Sequence, residues 1–310
     1  MRLGKRIFLR LLAGVGVLWG AATLTFVAVN VTGGDTALAI LGGPDALPTP
    51  EVVARVRAEY GLDRPLIEQY GRYLARLARG DLGESYRLRI PVTRAIGQQL
   101  RATVELALCA TLLAVTASIF WAMLTAKRAR WVRSFSSGSE LVVSSMPSFV
   151  IGILLLLVFS FRLHVFPASG SHGWKSLVMP ALTLALPMIA VLSQVLRQQL
   201  EEILEQPFIV TARARGLGDA AVRLRHALRH ALIPLVTLSG YITAGLLGGA
   251  VIVESLFARQ GVGRLMVEAT TNKDVPVVLG ITLMAALVYV VVNLIVDLLY
   301  TVIDPRVRIG

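Results

Sequence analysis

The chain has 310 residues, is 55% hydrophobic and carries a formal net charge of +12. Its mean hydropathy of +0.69 is too high for a domain whose whole outside faces water. Aromatic residues make up only 7%, and no basic surface interleaved with aromatics occurs, so the charge does not point to nucleic-acid binding.

The charges are clumped and leave long uncharged windows. The first covers 11–34, and a bilayer core of ~30 Å needs roughly 20 helical residues. Arg2, Lys5, Arg6 and Arg10 precede it in the manner of a signal peptide. The apolar run is too long for one, and no small-x-small cleavage site follows promptly. Segment 1–34 is therefore expected to remain as a transmembrane anchor helix.

Segment 35–100 is the one sizeable region outside the expected bilayer, with nine arginines against eight acids. It predicts two amphipathic helices. Thr49 offers an N-cap, Pro50 suits the first helical position, and Gly61 closes the first. Val52, Val53, Val56 and Tyr60 line its apolar side. The second starts around 63–65 and ends at Gly80, with Leu66, Tyr70, Tyr73, Leu74 and Leu77 at helical spacing. The segment is too small for a core of its own. It is either a cap that packs over the outer mouth of the spans or a docking surface for a partner.

Segment 101–310 holds five more windows: 102–126, interrupted only by Glu105, then 141–161, 176–196, 231–253 and 275–296. With the anchor, this predicts an all-α polytopic membrane protein with six transmembrane helices. Cys109 is the single cysteine; it can form no intrachain disulfide and is expected to pack. Pro180 and Pro187 should kink the fourth span or let it bend. Gly245 and Gly249 give a small-xxx-small spacing in the fifth, suited to helix packing in this chain or against another. Glu105, Asn293 and Asp297 are the polar residues inside spans, open to structural pairing or pathway lining.

Lys and Arg set the orientation. The N-terminus, the turn holding Lys127, Arg128, Arg130 and Arg133, the 201–230 loop and the end with Arg306 and Arg308 all fall on one side of six spans. Both termini are expected in the cytoplasm.

In the basic loop, 206–234 reads QPFIVTARARGLGDAAVRLRHALRHALIP. Pro207 suits a helix start, and Gly216 sits where a left-handed residue would end it. Asp219 can cap a second helix whose Ala221, Leu224, Leu228 and Leu232 share a face. The loop is thus helix, glycine bend, helix, unless it is a basic helix on the membrane surface.

No catalysis is expected. No G-x-x-x-x-G-K-[ST] phosphate loop occurs, and GGDTALAILGG lacks the lysine. His226 and His230 stand four apart but lack a third ligand and sit among arginines, so no metal site is expected.

TARARGL at 211–217 and LRHALRHALIP at 224–234 resemble the coupling motif of the permease subunits of dipeptide-, oligopeptide- and nickel-type ABC importers. His230 stands where that family usually has asparagine, and the glutamate of the general motif, expected near Val210, is absent. GLDRPLIEQYGRYLARLARGDLGESY at 61–86, MPSFVIGILLLLVFS at 146–160, FPASG at 166–170, ESLFARQGVGRLMVEA at 254–269, DVPVVLG at 274–280 and DLLYTVIDPRVR at 297–308 are similar to its other signatures. Arg259 and Gln260 replace a commoner Trp-Pro.

The resemblance implies a type I ABC importer permease fold with cytoplasmic coupling helices, in a bacterial inner membrane. It implies a pathway shared with a second homologous permease, which span five would line. Two ABC ATPase subunits would hold ATP and Mg, leaving no cofactor on this chain, and an extracytoplasmic solute-binding protein would deliver cargo. Contact with the ATPase would fall to Phe208, Ala212, Arg213, Arg215, Gly216 and Leu217 in the 201–231 loop. Family cargoes include small peptides, glutathione, nickel, and metallophore or opine-type metal complexes. An ion-gradient-driven secondary transporter would instead predict inverted repeats and midplane acids, which the sequence does not display.

Overall fold

The computed structural model describes residues 2–31, 36–41, 48–171 and 173–303, and every regular element among them is helical. In chain order these are α1 (Arg2–Val31), α2 (Thr36–Ile40), α3 (Pro50–Tyr60), α4 (Leu66–Leu77), α5 (Val92–Thr125), α6 (Arg130–Ser145) and α7 (Ser148–Leu155). A π-helical segment, Leu156–Arg162, continues α7. Then come α8 (Lys175–Ile203), α9 (Pro207–Ala214), α10 (Asp219–Ala221), a second π-helical segment Val222–Ala227, α11 (Leu228–Leu256), α12 (Val262–Thr271) and α13 (Val275–Ile303).

The described residues of the six predicted windows lie mainly on helix, but they do not make six straight spans. Unbroken spans are Val92–Thr125, Lys175–Ile203 and Val275–Ile295, and α1 contributes the shorter apolar stretch Leu12–Ala28. The fifth window belongs to the pair Asp219–Leu246 and Ala250–Leu256. The single third helix expected over 141–161 is corrected. Arg130–Ser145 and Ser148–Arg162 meet at 101°. Pro147 has no N–H to continue the helix and drives the residue before it out of the helical region. Met146 accordingly lies extended at φ −81°, ψ 131°. Pro180 and Pro187, by contrast, lie inside α8, which stays one continuous helix.

The chain forms two compact units, Met1–Thr103 with Gln260–Val290, and Val104–Arg259 with Val291–Gly310. The expected partition into 1–34, 35–100 and 101–310 follows the order of the chain, whereas packing groups 260–290 with the N-terminal part.

In the first unit, α3 starts at Pro50 and ends at Gly61, whose φ of 65° lets the Leu62 N–H reach the Arg57 carbonyl at 2.8 Å. The side chain of Thr49 makes no cap bond. The α3 face closes on α2 through Val56, Ala37 and Ile40. The α4 face closes on α1 and α13: Tyr73 packs with Ala22 and Leu279, stacks on Phe26 at 5.5 Å, and Tyr70 shares a 2.7 Å hydroxyl bond with Thr23. Burial pushes the Tyr73 phenol up to about 12, which keeps it neutral. A buried carboxylate, Asp274, accepts from the Tyr86 amide at 3.1 Å and the Ser85 hydroxyl at 2.5 Å, pinning the turn after α4 to the start of α13.

In the second unit α8 is the central helix: 61% of its span is buried, against 28% for α5. Its Leu184, Ala185, Leu192 and Leu196 meet Leu106, Ala110 and Ala114 of α5 and Ala231 and Leu235 of α11. Cys109 packs against this core. A charged pair is enclosed beside it. Arg197 of α8 donates to both carboxylate oxygens of Glu140 of α6, at 2.8 and 2.6 Å, and both residues are under 10% exposed. Trp121, Ser136 and Ser193 donate to the same carboxylate, so neither charge is left without bonds.

Candidate functional site

The helix–glycine–helix element lies in the second unit, directly after α8. Gln206 is extended at ψ 146° and Pro207 opens α9, where a missing N–H costs nothing. Ile209 and Ala212, three apart, are buried in the core, at 0% and 7% exposure. Around this buried stripe Phe208, Val210, Arg213 and Arg215 are all exposed, Phe208 and Arg213 flanking it. Ordinary helical periodicity therefore gives α9 one face held by its own chain and one face open.

Gly216 has φ +83°, and its N–H bonds the Arg213 carbonyl at 2.9 Å. This left-handed turn reverses the backbone, and half-buried Leu217 then packs back on the core. Gly218, extended at ψ 157°, takes the cap position expected of Asp219. The Asp219 carboxylate turns instead to two arginines, accepting from Arg223 Nε at 2.7 Å and Arg213 Nη2 at 3.3 Å. The Arg223 hydrogen bond holds the Asp219 carboxyl below its ordinary value.

Arg223 is 6% exposed. Its Nη1 donates to the Ala126 carbonyl at 2.9 Å and the Met123 carbonyl at 3.3 Å. The last turn of a helix leaves carbonyls without intrahelical partners and carries partial negative charge, which a guanidinium satisfies on both counts. The loop is thereby fastened to the end of α5.

The second helix of the element buries Val222, Arg223, Ala227, Ala231 and Leu235; of the expected face, Leu228 and Leu232 are half-buried against the same core, but Leu224 is not. Leu224 is 58% exposed. The π-helical segment at Val222–Ala227 inserts an extra residue in the turn and rotates the buried face. Phe208 approaches the ring of His230 at 5.3 Å, so α9 also touches α11 from its open side.

Of the predicted contact residues, Phe208, Arg213, Arg215 and Gly216 lie on the surface, while Ala212 faces inward and Leu217 is half-buried. Glu105, half-exposed, lies 3.5 Å from buried Arg259, in an ion pair rather than alone. Around Gly245 an added Cβ would meet nothing within 4 Å, so no close packing among the described residues requires that glycine. Asn293 is half-buried. Gly249 lies in α11 and Asp297 in α13, and the placement of the Asp297 side chain and the surroundings of Gly249 lie outside what is described. The spacing of Asp219 and Arg223, four apart, was the available signal for their ion pair. Glu140 and Arg197 stand one residue beyond uncharged windows, and a search for uncharged windows passes over them.

The arrangement is a basic and partly apolar surface: Phe208, Val210 and Leu224 are exposed among arginines, over a buried underside.

Residues 114–309 match the family described as "Binding-protein-dependent transport system inner membrane component". A Brucella abortus (strain 2308) protein assigned as a peptide transport system permease is 38% identical over 311 residues, 97% of this chain and 98% of its own. The glutathione transport system permease protein GsiC of Escherichia coli (strain K12) is 34% identical over 300 residues, 96% of this chain and 97% of its own. GsiC of Salmonella paratyphi A is likewise 34% identical over 300 residues.

Proposed function

Because the chain belongs to the family of binding-protein-dependent transport system inner membrane components, and is thus a multi-pass permease subunit of an ABC importer, we propose that its cargo is a small peptide or glutathione. Its relatives named for peptide and glutathione transport cover nearly its whole length. We further propose that α9 and the Gly216 bend seat in one of two separate ATPase subunits that hold ATP and Mg, that a second homologous permease completes the pathway, and that both termini are cytoplasmic. Gly245, open on its own chain, suits close approach by that second permease.

The observation that carries the coupling role is the two-faced helix. An element that must pass movement between a soluble engine and a membrane bundle has to be rigid and held on both sides. The inner hold is visible in Ile209, Ala212 and Leu217, and the open face of Phe208, Arg213 and Arg215 supplies the outer one.

Co-expression with the neighbouring ATPase and permease genes, followed by affinity purification of this chain, tests the reading. ATPase should copurify with the parent and be lost from Arg213→Glu/Arg215→Glu, while membrane abundance holds. Equal recovery from both would reject α9 as the docking helix. Uptake of labelled dipeptide and of labelled glutathione into proteoliposomes, with the binding protein present, separates the two cargoes.

A further inference from the structure

The open face of α9 explains how a partner could grip the loop, but not how the loop moves a span. Three charged groups form a continuous link. Arg213, in the last turn of α9, bonds Asp219 at 3.3 Å; Asp219 bonds Arg223 at 2.7 Å; Arg223 bonds the terminal carbonyls of α5 at Ala126 and Met123. The two ends of the link differ in kind. Arg213 and Asp219 are about half exposed, whereas Arg223 is sealed from water. A buried guanidinium that lost these acceptors would leave unsatisfied donors in a dry site, so its bond to α5 is hard to break. The exposed end is weakly held and free to reorganise when a partner lands on Arg213.

Ahead of α9, Glu201 accepts from the Lys127 amide at 3.2 Å and Glu205 pairs with Lys127 Nζ at 2.9 Å, next to the end of α5; from α9 to the start of α11, Arg223 makes the polar bonds to α5 among those described. Ile209 and Ala212 join the general core by packing, which permits sliding; hydrogen bonds to named carbonyls fix a register. Val222 and Arg223 are both buried at the start of the π-helical turn Val222–Ala227.

We propose that Asp219 and Arg223 are positioning residues for transport: they tie the docking helix to the end of α5, so that displacement of α9 is delivered to that span. This rests on the coupling role assigned above to α9. The tie also works in reverse, because coupling between two sites is reciprocal: a change at the outer side that shifts α5 is felt at α9.

Hydrogen exchange by mass spectrometry on the complete transporter, with both permeases, the ATPases and the binding protein in nanodiscs, tests it. Exchange is compared with and without ATP–vanadate in the parent, in Asp219→Ala and in Arg223→Met. In the parent, nucleotide should change exchange in both 208–217 and 119–126. In either variant the change in 208–217 should persist and that in 119–126 should be lost; Arg223→Lys, which keeps a donor, should restore part of it. Binding-protein-stimulated ATP hydrolysis should fall about tenfold in Arg223→Met, as expected from losing charge-assisted bonds. A response in 119–126 that survives both variants, or is missing from the parent, overturns the proposal. A parent with no response in 208–217 overturns the coupling role itself. If Arg223→Met fails to assemble, Asp219→Ala, a surface change, decides alone.

Discussion

Gly216 holds a φ of +83° with open space where a Cβ would stand. Nothing would collide with a larger residue there, so the penalty is in the backbone alone. It is roughly 1–2 kcal/mol for an L-residue and more for a β-branched one. Gly216→Val is expected to reach the membrane in normal amount but to lose uptake and ATPase copurification. Gly216→Asn should keep most of both, since asparagine tolerates the left-handed region. Normal uptake by the valine variant would sink the role given to the bend. The carboxyl of Asp219 gives a second test at this scale. Its folded value is depressed by Arg223. Its contribution is therefore present above the unfolded value, about 4, and is lost as pH falls through the folded one. The gap in thermal stability between parent and Asp219→Asn should stay constant from about pH 5 to 8 and shrink only in stronger acid. A gap that closes near pH 6 would contradict the assigned partner.

Between helices, the enclosed Glu140–Arg197 pair makes the sharpest prediction. Removing one buried partner strands the other, at about 3–5 kcal/mol, whereas replacing both with apolar residues restores much of the loss. Arg197→Met should unfold at clearly lower temperature in detergent, and Glu140→Leu/Arg197→Met should recover most of the difference. If the double variant is as weak as the single one, the pair is not the cause. This pair also marks where sequence reasoning stopped. Starts at Pro50 and Pro207 and ends at Gly61 and Gly216 were legible because each depends on local backbone chemistry. The meeting of Glu140 with Arg197, 57 residues apart, depends on how α6 and α8 pack, and no local pattern encodes it. The π-helical turn at Val222–Ala227 escaped for the same reason: it serves tertiary burial, not propensity. The break at Met146–Pro147 was visible in the letters, but summing hydrophobicity across 141–161 hid it.

At the scale of the chain, the alternation of basic and neutral loops predicts sidedness. Reporter fusions at Gly61 and Gly170 should register outside, and those at Arg130 and Gly218 inside. A cytoplasmic signal from Gly61 would overturn the proposed orientation. Segment 35–100 does not rely on a core of its own, because Tyr73 and Tyr70 lean on α1 and α13.

The right-angled turn between α6 and α7 has one more consequence. When α7 stands along the bilayer normal, α6 lies nearly flat, with Trp131, Phe135, Leu141 and Val142 outward. Only α7 and its π-helical continuation, 8 and 7 residues, then remain to cross. At about 1.5 Å per residue that is roughly 22 Å, short of the ~30 Å of a typical hydrocarbon core. Where lipid lies beside this helix the bilayer thins to meet it, and thinning costs more as acyl chains lengthen. The transporter should therefore sense lipid length: coupled ATP hydrolysis should be highest in short-chain phosphatidylcholine and decline steadily as the chains grow.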